Sequence, residues 1–320
     1  MKTITVIVPC YNEELTINPY FAAMQAIEAV CPAYSFHYLF VDDGSTDQTL
    51  SVLEKLSSKH SNVQYLSFSR NFGKEAALVA GLTYSQGEWV ITMDVDLQHP
   101  PRLIPLMIKE METEQYDMIA TQRQNRQGEA AIRAFLSHKF YELLRLMTDI
   151  PLCQNETDFR LMDKPIVNSL LALQEVHRFS KGLFNWVGYR KTYLSFPNEK
   201  RSAGDSKWNL TSLFTYSIEG ILSFSQVPLD IIAFIGFLVF ILSISYAIFL
   251  AIRTLLFGNP TSGWTSTIVV ILAMGGLQML SLGVVGKYVG KTFMESKKRP
   301  LYFIQKTNLD LSSQKEPRKL

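Results

Sequence analysis

Asp94 and Asp96 flank a single valine, and Gln98 follows at the same spacing in Asp94-Val95-Asp96-Leu97-Gln98. On an extended chain residues two apart point the same way, so two carboxylates and a carboxamide reach one side together. Such hard oxygen donors suit Mg2+ or Mn2+ bridging a diphosphate. An Asp-x-Asp alone is commonly a solvated turn, but this one ends the apolar run Trp89 to Met93. A second acidic pair, in Asp42-Asp43-Gly44-Ser45, precedes Asp47, which can cap the following helix. Two adjacent carboxylates exceed what a cap needs, and one of them can accept the imide N–H of uracil, a contact open only to an acceptor. Pro9, Tyr11, Asn12 and Glu13 would wall the same pocket, with Tyr11 available to stack on the base. His99 can be read as approaching a metal, although Pro100 and Pro101 make a helix-initiating turn the stronger context.

These clusters need a scaffold that brings them together. Short β-branched or apolar runs at Ile4 to Val8, Phe36 to Val41, Val63 to Phe68, Trp89 to Met93 and Met118 to Ala120 alternate with helix-like stretches. The helical stretches lie at about 14 to 30, 47 to 58, 74 to 85 and 101 to 114. Strands that are apolar almost throughout, separated by helices, predict an α/β fold with a mostly parallel sheet covered on both faces. Such sheets bind ligands at the carboxyl ends of their strands. Each of the first four runs is followed there by a polar cluster, the third being Ser69-Arg70-Asn71-Phe72-Gly73-Lys74. Further on, the pattern predicts a long helix over 129 to 149, a strand at Phe159 to Met162, a helix near 165 to 174 and a strand at Thr192 to Phe196.

The composition divides the chain. Of 320 residues, 47% are hydrophobic and 19% charged, and 31 Lys+Arg against 29 Asp+Glu give a net charge of +2. This excludes a disordered chain and a strongly basic nucleic-acid binder, and no nucleic-acid partner is expected. The mean hydropathy of +0.07 is high for a soluble enzyme. The cause is local: Arg253 is the only charged residue between Ile231 and Gly286. Ile231 to Ile252 and Trp264 to Val285 are each 22 residues long and uncharged, Arg253 lying just beyond the first; a helix of about 20 residues crosses the hydrocarbon core. Lys200, Arg201 and Lys207 precede the pair, and Lys287, Lys291, Lys297, Lys298 and Arg299 follow it, whereas the loop between is uncharged from Phe257 to Gly263. Positive-inside bias then predicts a multi-pass protein of the cytoplasmic membrane with both termini in the cytosol. Trp208 to Ser225 has the spacing of an interfacial amphipathic helix. The expected organisation is a catalytic domain over 1–207, the interfacial helix over 208–227, two membrane helices over 228–290 and a basic cytosolic tail over 291–320. Gly275-Gly276 and the Gly283/Gly286 pair permit close helix packing, and a homo-oligomer is left open. Cys10, Cys31 and Cys153 are too few and too scattered for a disulfide framework or a paired-cysteine zinc site.

The ordered motifs Pro9-x-Tyr11-Asn12-Glu13, Asp42-Asp43-Gly44-Ser45-x-Asp47, Arg70-Asn71-Phe72-Gly73-Lys74, Asp94-Val95-Asp96-Leu97-Gln98, Asp158-Phe159-Arg160-Leu161-Met162 and Arg201-x-x-Gly204-x-Ser206-Lys207 carry a resemblance. Together they resemble family two of the inverting glycosyltransferases, which have the Rossmann-like GT-A fold. With the paired apolar helices the chain is most similar to the bacterial polyprenyl-phosphate glycosyltransferases, especially the bactoprenol glucosyltransferase branch; dolichyl-phosphate mannose synthase is a more distant relative. The resemblance implies that Asp43, with Asp42, binds the nucleotide base, that Asp94, Asp96 and Gln98 hold the metal, and that Lys74 belongs with the donor-binding residues. It also implies that Arg123, Arg133 and Ser137 hold the phosphate of the lipid acceptor. Arg133 and Ser137 agree with this, being four apart on one helix face. One departure is Thr157, where this branch commonly has glycine before Asp-Phe-Arg.

The implied reaction is inverting transfer of a hexose, with glucose from UDP-glucose as first expectation, to undecaprenyl phosphate, for decoration of a cell-envelope glycan. The alternatives are another donor sugar (N-acetylglucosamine, galactose, mannose or an aminoarabinose derivative) and a non-catalytic nucleotide-sugar-binding membrane protein. The intact Asp94, Asp96 and Gln98 set argues against the latter. Asp96 and Asp158 are the expected catalytic residues. The resemblance offers Asp158 as a general base, but a phosphate monoester with a second pKa of about 6 has little proton to surrender at neutral pH. Asp158 then reads as orienting a sugar hydroxyl or anchoring a phosphate-binding Arg160.

Overall fold

The computed structural model describes residues 1–124, 155–173, 175–176, 178–197, 225, 227–257 and 263–310. The expected 129–149 helix with Arg133 and Ser137, the 208–225 helix apart from Ser225, and the Arg201 to Lys207 motif lie outside them.

The chain divides into two units, Met1–Thr215 with Lys298–Leu320, and Tyr216–Lys297. The first is built on an eight-stranded sheet of order β7-β5-β6-β4-β1-β2-β3-β8. Its strands are β1 Lys2–Cys10, β2 Tyr34–Asp42, β3 Val63–Phe68, β4 Trp89–Thr92, β5 Met118–Arg123, β6 Glu156–Asp163, β7 Lys191–Phe196 and β8 Ile304–Thr307. β4, β1, β2 and β3 run parallel as neighbours, while β6 lies antiparallel to β4 and β5. The expected α/β architecture with a mostly parallel sheet is therefore present.

β1 is the centre because it can be buried on both faces: Ile4, Val6, Ile7 and Val8 have no exposure. Ile4, Val6 and Val8 join one core cluster with Tyr20, Phe21 and Met24 of α1 (Ile17–Val30), Leu53 of α2 (Thr49–Lys59) and Met107 of α4 (Ile104–Glu112). Against the other face lies α3 (Lys74–Tyr84), so close that a Cβ on Gly81 would stand 2.2 Å from Ile7 Cγ2. Strand order proceeds from β1 through β2 to β3 and then returns to β4 on the other side of β1. That reversal is a topological switch point, where the connecting loops part and leave a crevice at the carboxyl edge. The acidic clusters follow β2 and β4 at this edge.

Two elements were not anticipated. α6 (Ser180–Trp186) follows α5 (Lys164–Ala172), and β8 lies within what reads in sequence as a basic tail over 291–320. Within that span residues 291–296 continue a helix, and 304–307 pair antiparallel with β3. The pairing covers an open sheet edge, and Asn308 secures it by accepting the Tyr65 N–H at 2.8 Å.

The second unit contains α7 (Val227–Phe257) and α8 (Trp264–Ser296), of 31 and 33 residues. Within it the Tyr288 hydroxyl donates to the Ser225 carbonyl at 2.7 Å. Among the described residues one stretch, Val227–Tyr246, is long and apolar enough to cross a membrane, and its large side chains, including Phe234, Phe237 and Phe240, are exposed. The expected second span, Trp264 to Val285, is helical within α8 but does not meet that test among the described residues.

Candidate active site

Lys74 connects the clusters. It opens α3, and its ammonium lies 2.7 Å from Asp94 Oδ1 and 2.7 Å from Asp158 Oδ2. Asp94 follows β4, whereas Asp158 is on β6, so one cation holds carboxylates from two adjacent strands. Desolvation opposes ionisation of all three groups, but mutual attraction outweighs it. Lys74 is raised above the ordinary lysine range by Asp158 and Asp94, while Asp94 is lowered by Lys74 and His99. Asp158 is held well below the ordinary carboxylate range by Lys74, Lys181 and Arg160.

The turn after β4 is organised by its own side chains. The Asp94 N–H donates to His99 Nδ1 at 3.2 Å, and the His99 ring stacks on Phe159 with centroids 5.6 Å apart. His99 is thus a buried brace for the turn, with its pKa lowered by desolvation. Asp96 Oδ1 accepts the Gln98 N–H at 3.1 Å. Between them Leu97 adopts φ +58, a left-handed conformation costing a leucine roughly 1–2 kcal/mol. Strain of this kind persists where a particular side-chain arrangement is enforced. Gln98 Oε1 accepts from the Arg123 guanidinium at 3.1 Å, so the end of β5 reaches the turn after β4.

The loops after β1 and β2 fasten each other. Ser45 Oγ accepts the Asn12 N–H at 2.9 Å, Asn12 Oδ1 accepts the Thr46 N–H at 2.8 Å, and Thr49 Oγ1 accepts the Glu13 N–H at 2.8 Å. Asn12, at φ +54, and Glu13 therefore tie the loop after β1 to the loop after β2, while Pro9 and Tyr11 are half-buried beside them. Asp42 is buried and accepts from the Ser45 N–H at 3.0 Å and the Ser67 hydroxyl at 2.7 Å. Asp43 accepts the Phe72 N–H at 2.7 Å and the Gly73 N–H at 2.9 Å. Burial raises the Asp43 pKa above its ordinary value, with the two N–H donors opposing the shift. Both carboxylates thus hold loops in place, a role that their sequence signature does not show.

Gly44 permits this assembly. It has φ +66, and a Cβ there would stand 2.3 Å from the Arg70 carbonyl carbon. Gly44→Ala is expected to destabilise the protein by roughly 2 kcal/mol or more, through both backbone strain and collision. Thermal unfolding should move down by roughly 4–8 °C. An unchanged melting temperature would contradict so close an approach of the two loops.

Arg160 is a correction. Expected on the acceptor phosphate, it is fully buried. Its Nη1 lies 3.3 Å from Glu156 Oε1, Nη2 donates to the Thr157 carbonyl at 2.7 Å, and the guanidinium sits 3.6 Å from the Phe184 ring centroid. Glu156 and Arg160 are four apart on a strand and share a face, which explains the internal pairing. Thr157 also has a local reason: its hydroxyl pairs with that of Thr121 at 2.6 Å, which in turn donates to the Phe159 carbonyl at 2.8 Å.

Lys181 and Glu75 were missed. Lys181 lies in the first turn of α6 and contributes to lowering Asp158, and a cation there opposes the helix dipole, a signal available in sequence once the helix is known. Glu75, next to Lys74, accepts the Ser180 N–H at 3.2 Å and the Ser180 hydroxyl, fixing the start of α6.

Among the described residues no group of three or more His, Cys, Asp or Glu can hold a metal by itself. The residues nevertheless fit a divalent cation that a second molecule helps to ligate. Asp94 and Asp96 would supply anionic oxygens and Gln98 a carboxamide oxygen, with the Lys74 ammonium already 2.7 Å from Asp94.

The chain matches the model "Glycosyl transferase family 2" over residues 5–171. It is 41% identical over 302 residues to an uncharacterised glycosyltransferase of Synechocystis, covering 94% of each chain. It is 36% identical over 303 residues to a prophage bactoprenol glucosyl transferase homolog of Escherichia coli, covering 95% of this chain and 98% of that one. To the bactoprenol glucosyl transferase of Shigella phage SfII the identity is 37% over 305 residues, again covering 95% and 98%.

Proposed function

The chain belongs to glycosyl transferase family 2 and is a glycosyltransferase, and from that premise we propose that it transfers a hexose, glucose from UDP-glucose, to undecaprenyl phosphate with inversion at C1. The observation that carries the reading is the 3.1 Å contact between Arg123 and Gln98. A residue suited to the acceptor phosphate adjoins one suited to the donor diphosphate, as transfer between the two requires. The names of the relatives from Escherichia coli and the Shigella phage support a bactoprenol acceptor.

Asp43 would take the uracil imide, with Pro9, Tyr11, Asn12 and Glu13 walling the base. Asp94, Asp96 and Gln98 would hold Mg2+ or Mn2+ beside the donor diphosphate. When bound, the cation supplies neutralisation of the charge that grows on the leaving diphosphate. Lys74 keeps the Asp94 and Asp158 carboxylates together at the reacting edge. Arg123, Arg133 and Ser137 would hold the acceptor phosphate, whose oxygen attacks C1 from the face opposite UDP. The C–O bond to UDP breaks as the new C–O bond forms, so UDP leaves and the anomeric configuration inverts. No proton need be removed from an acceptor already ionised at neutral pH.

The domain over 1–207 would work at the cytosolic face of the membrane, followed by an interfacial helix and two spans within α7 and α8. Anchoring confines the enzyme to the surface that holds its lipid acceptor. A cysteine replacing Asn259 should be labelled from outside intact cells, while tags at Met1 and Leu320 should be protected. External access to either terminus would contradict this topology.

The donor is tested by offering purified full-length protein undecaprenyl phosphate with UDP-glucose, UDP-galactose, UDP-N-acetylglucosamine, GDP-mannose or a nucleotide-linked aminoarabinose derivative. UDP-glucose should give the fastest lipid glycosylation. Exclusive use of a GDP-sugar would contradict the uracil assignment.

A further inference from the structure

The chain that follows α8 returns to the donor side of the sheet. Tyr302 stacks on Phe68 with centroids 4.9 Å apart and an interplanar angle of 13°, and Phe303 lies tilted against Phe72 at 6.1 Å. The Phe303 carbonyl accepts the Ser69 N–H at 3.0 Å. These contacts fall on the last residue of β3 and on the Ser69 to Gly73 loop. From its other side the same loop donates the Phe72 and Gly73 N–H groups to Asp43, and it delivers Lys74 to Asp94 and Asp158. One short loop therefore links the carboxylate assigned to the base with those assigned to the diphosphate, and the returning chain grips it. Covering the β3 edge accounts for β8 itself, but not for an aromatic side chain that is 56% exposed and lies against the loop beyond that edge.

We propose that Tyr302 and Phe303 are positioning residues for the sugar-nucleotide donor, acting by holding the Ser69 to Gly73 loop in the form that sets Asp43 and Lys74. This rests on assigning the Asp43, Lys74 and Asp94 edge to the donor. A loop that is already ordered adds little entropic cost to binding, whereas a loosened one must be ordered when the nucleotide arrives. The effect belongs to donor affinity. Lipid affinity and the turnover of a fully loaded enzyme should change little.

The test uses full-length Phe303→Ala, Phe303→Tyr, Tyr302→Phe and Lys306→Gln. Lys306 is on β8, just after Phe303, and pairs with Glu54, away from the loop, so its variant reports on β8 docking alone. UDP binding is measured by calorimetry, and KM for UDP-glucose and for undecaprenyl phosphate is measured beside kcat and the melting temperature. Phe303→Ala should weaken UDP binding and raise the donor KM about tenfold, leaving kcat and the lipid KM within about twofold. Phe303→Tyr and Tyr302→Phe, which keep the rings, should match the wild type, as should Lys306→Gln. Unchanged UDP affinity in active Phe303→Ala, or an equal loss in Lys306→Gln, would overturn the positioning role alone. A wild-type protein that binds no UDP would overturn the donor assignment and the positioning role together.

Discussion

Asp96→Asn should reduce kcat by more than about 100-fold while leaving the melting temperature near that of the wild type. The asparagine carbonyl can still accept the Gln98 N–H that Asp96 accepts at 3.1 Å, so the turn keeps its internal hydrogen bond. What disappears is an anionic oxygen for the divalent cation. Loss of charge stabilisation in a transition state costs about 3 kcal/mol or more, which corresponds to the stated fall in rate. Raising Mg2+ or Mn2+ should restore part of the activity if the variant binds metal more weakly. Turnover within a few-fold of the wild type at ordinary metal concentrations would remove Asp96 from the metal site.

The second large effect is expected at Asp158, where geometry and electrostatics separate two roles. Burial alone would raise this carboxyl, but Lys74, Lys181 and Arg160 hold it well below the ordinary range. A group with its folded pKa lowered is ionised throughout the neutral region, and its contribution to stability is lost progressively as the pH falls from the ordinary carboxylate range through that low value. It is also a weak base, poorly matched to proton removal near pH 7. Its contact with Lys74 makes it a positioning group for the α3 N-terminus. Asp158→Asn should therefore lower kcat on the order of 100-fold, the scale that misplacement of a reacting group produces. The loss should be the same at every pH from about 6 to 9, because the acceptor phosphate, with its second pKa of about 6, needs no base in that range. Recovery toward wild-type activity as the pH rises would show that the missing function was proton removal.

Much of the sheet was legible because parallel strands buried on both faces read as unbroken apolar runs, as Ile4 to Val8 and Phe36 to Val41 do. The polar clusters after those runs were legible for the same reason: only the carboxyl edge of the sheet accommodates Asp42-Asp43 or Asp94-x-Asp96 beside them. Their partners were not. Asp43 is bound by Phe72 and Gly73, and Glu75 meets Ser180 across 105 residues of chain, distances that no local pattern encodes. α6 has only seven residues, too short to display a helical period. β8, Ile304-Gln305-Lys306-Thr307, is a short, mostly polar edge strand whose sequence resembles the basic tail around it. Arg160 misled because a charged residue in an apolar strand looks like a ligand, whereas it is paired internally with Glu156 on the same face and packed on the Phe184 ring.

In the proposed reaction a phosphate oxygen of the lipid attacks C1 of the sugar and not a phosphorus of the donor. The most direct measurement identifies both products of a reaction with UDP-glucose and undecaprenyl phosphate, the lipid by mass and the nucleotide by chromatography. Attack at C1 predicts UDP, released in equal amount to a lipid heavier by one anhydrohexose and carrying a single phosphate. Release of UMP, with a lipid carrying a sugar diphosphate, would contradict the account.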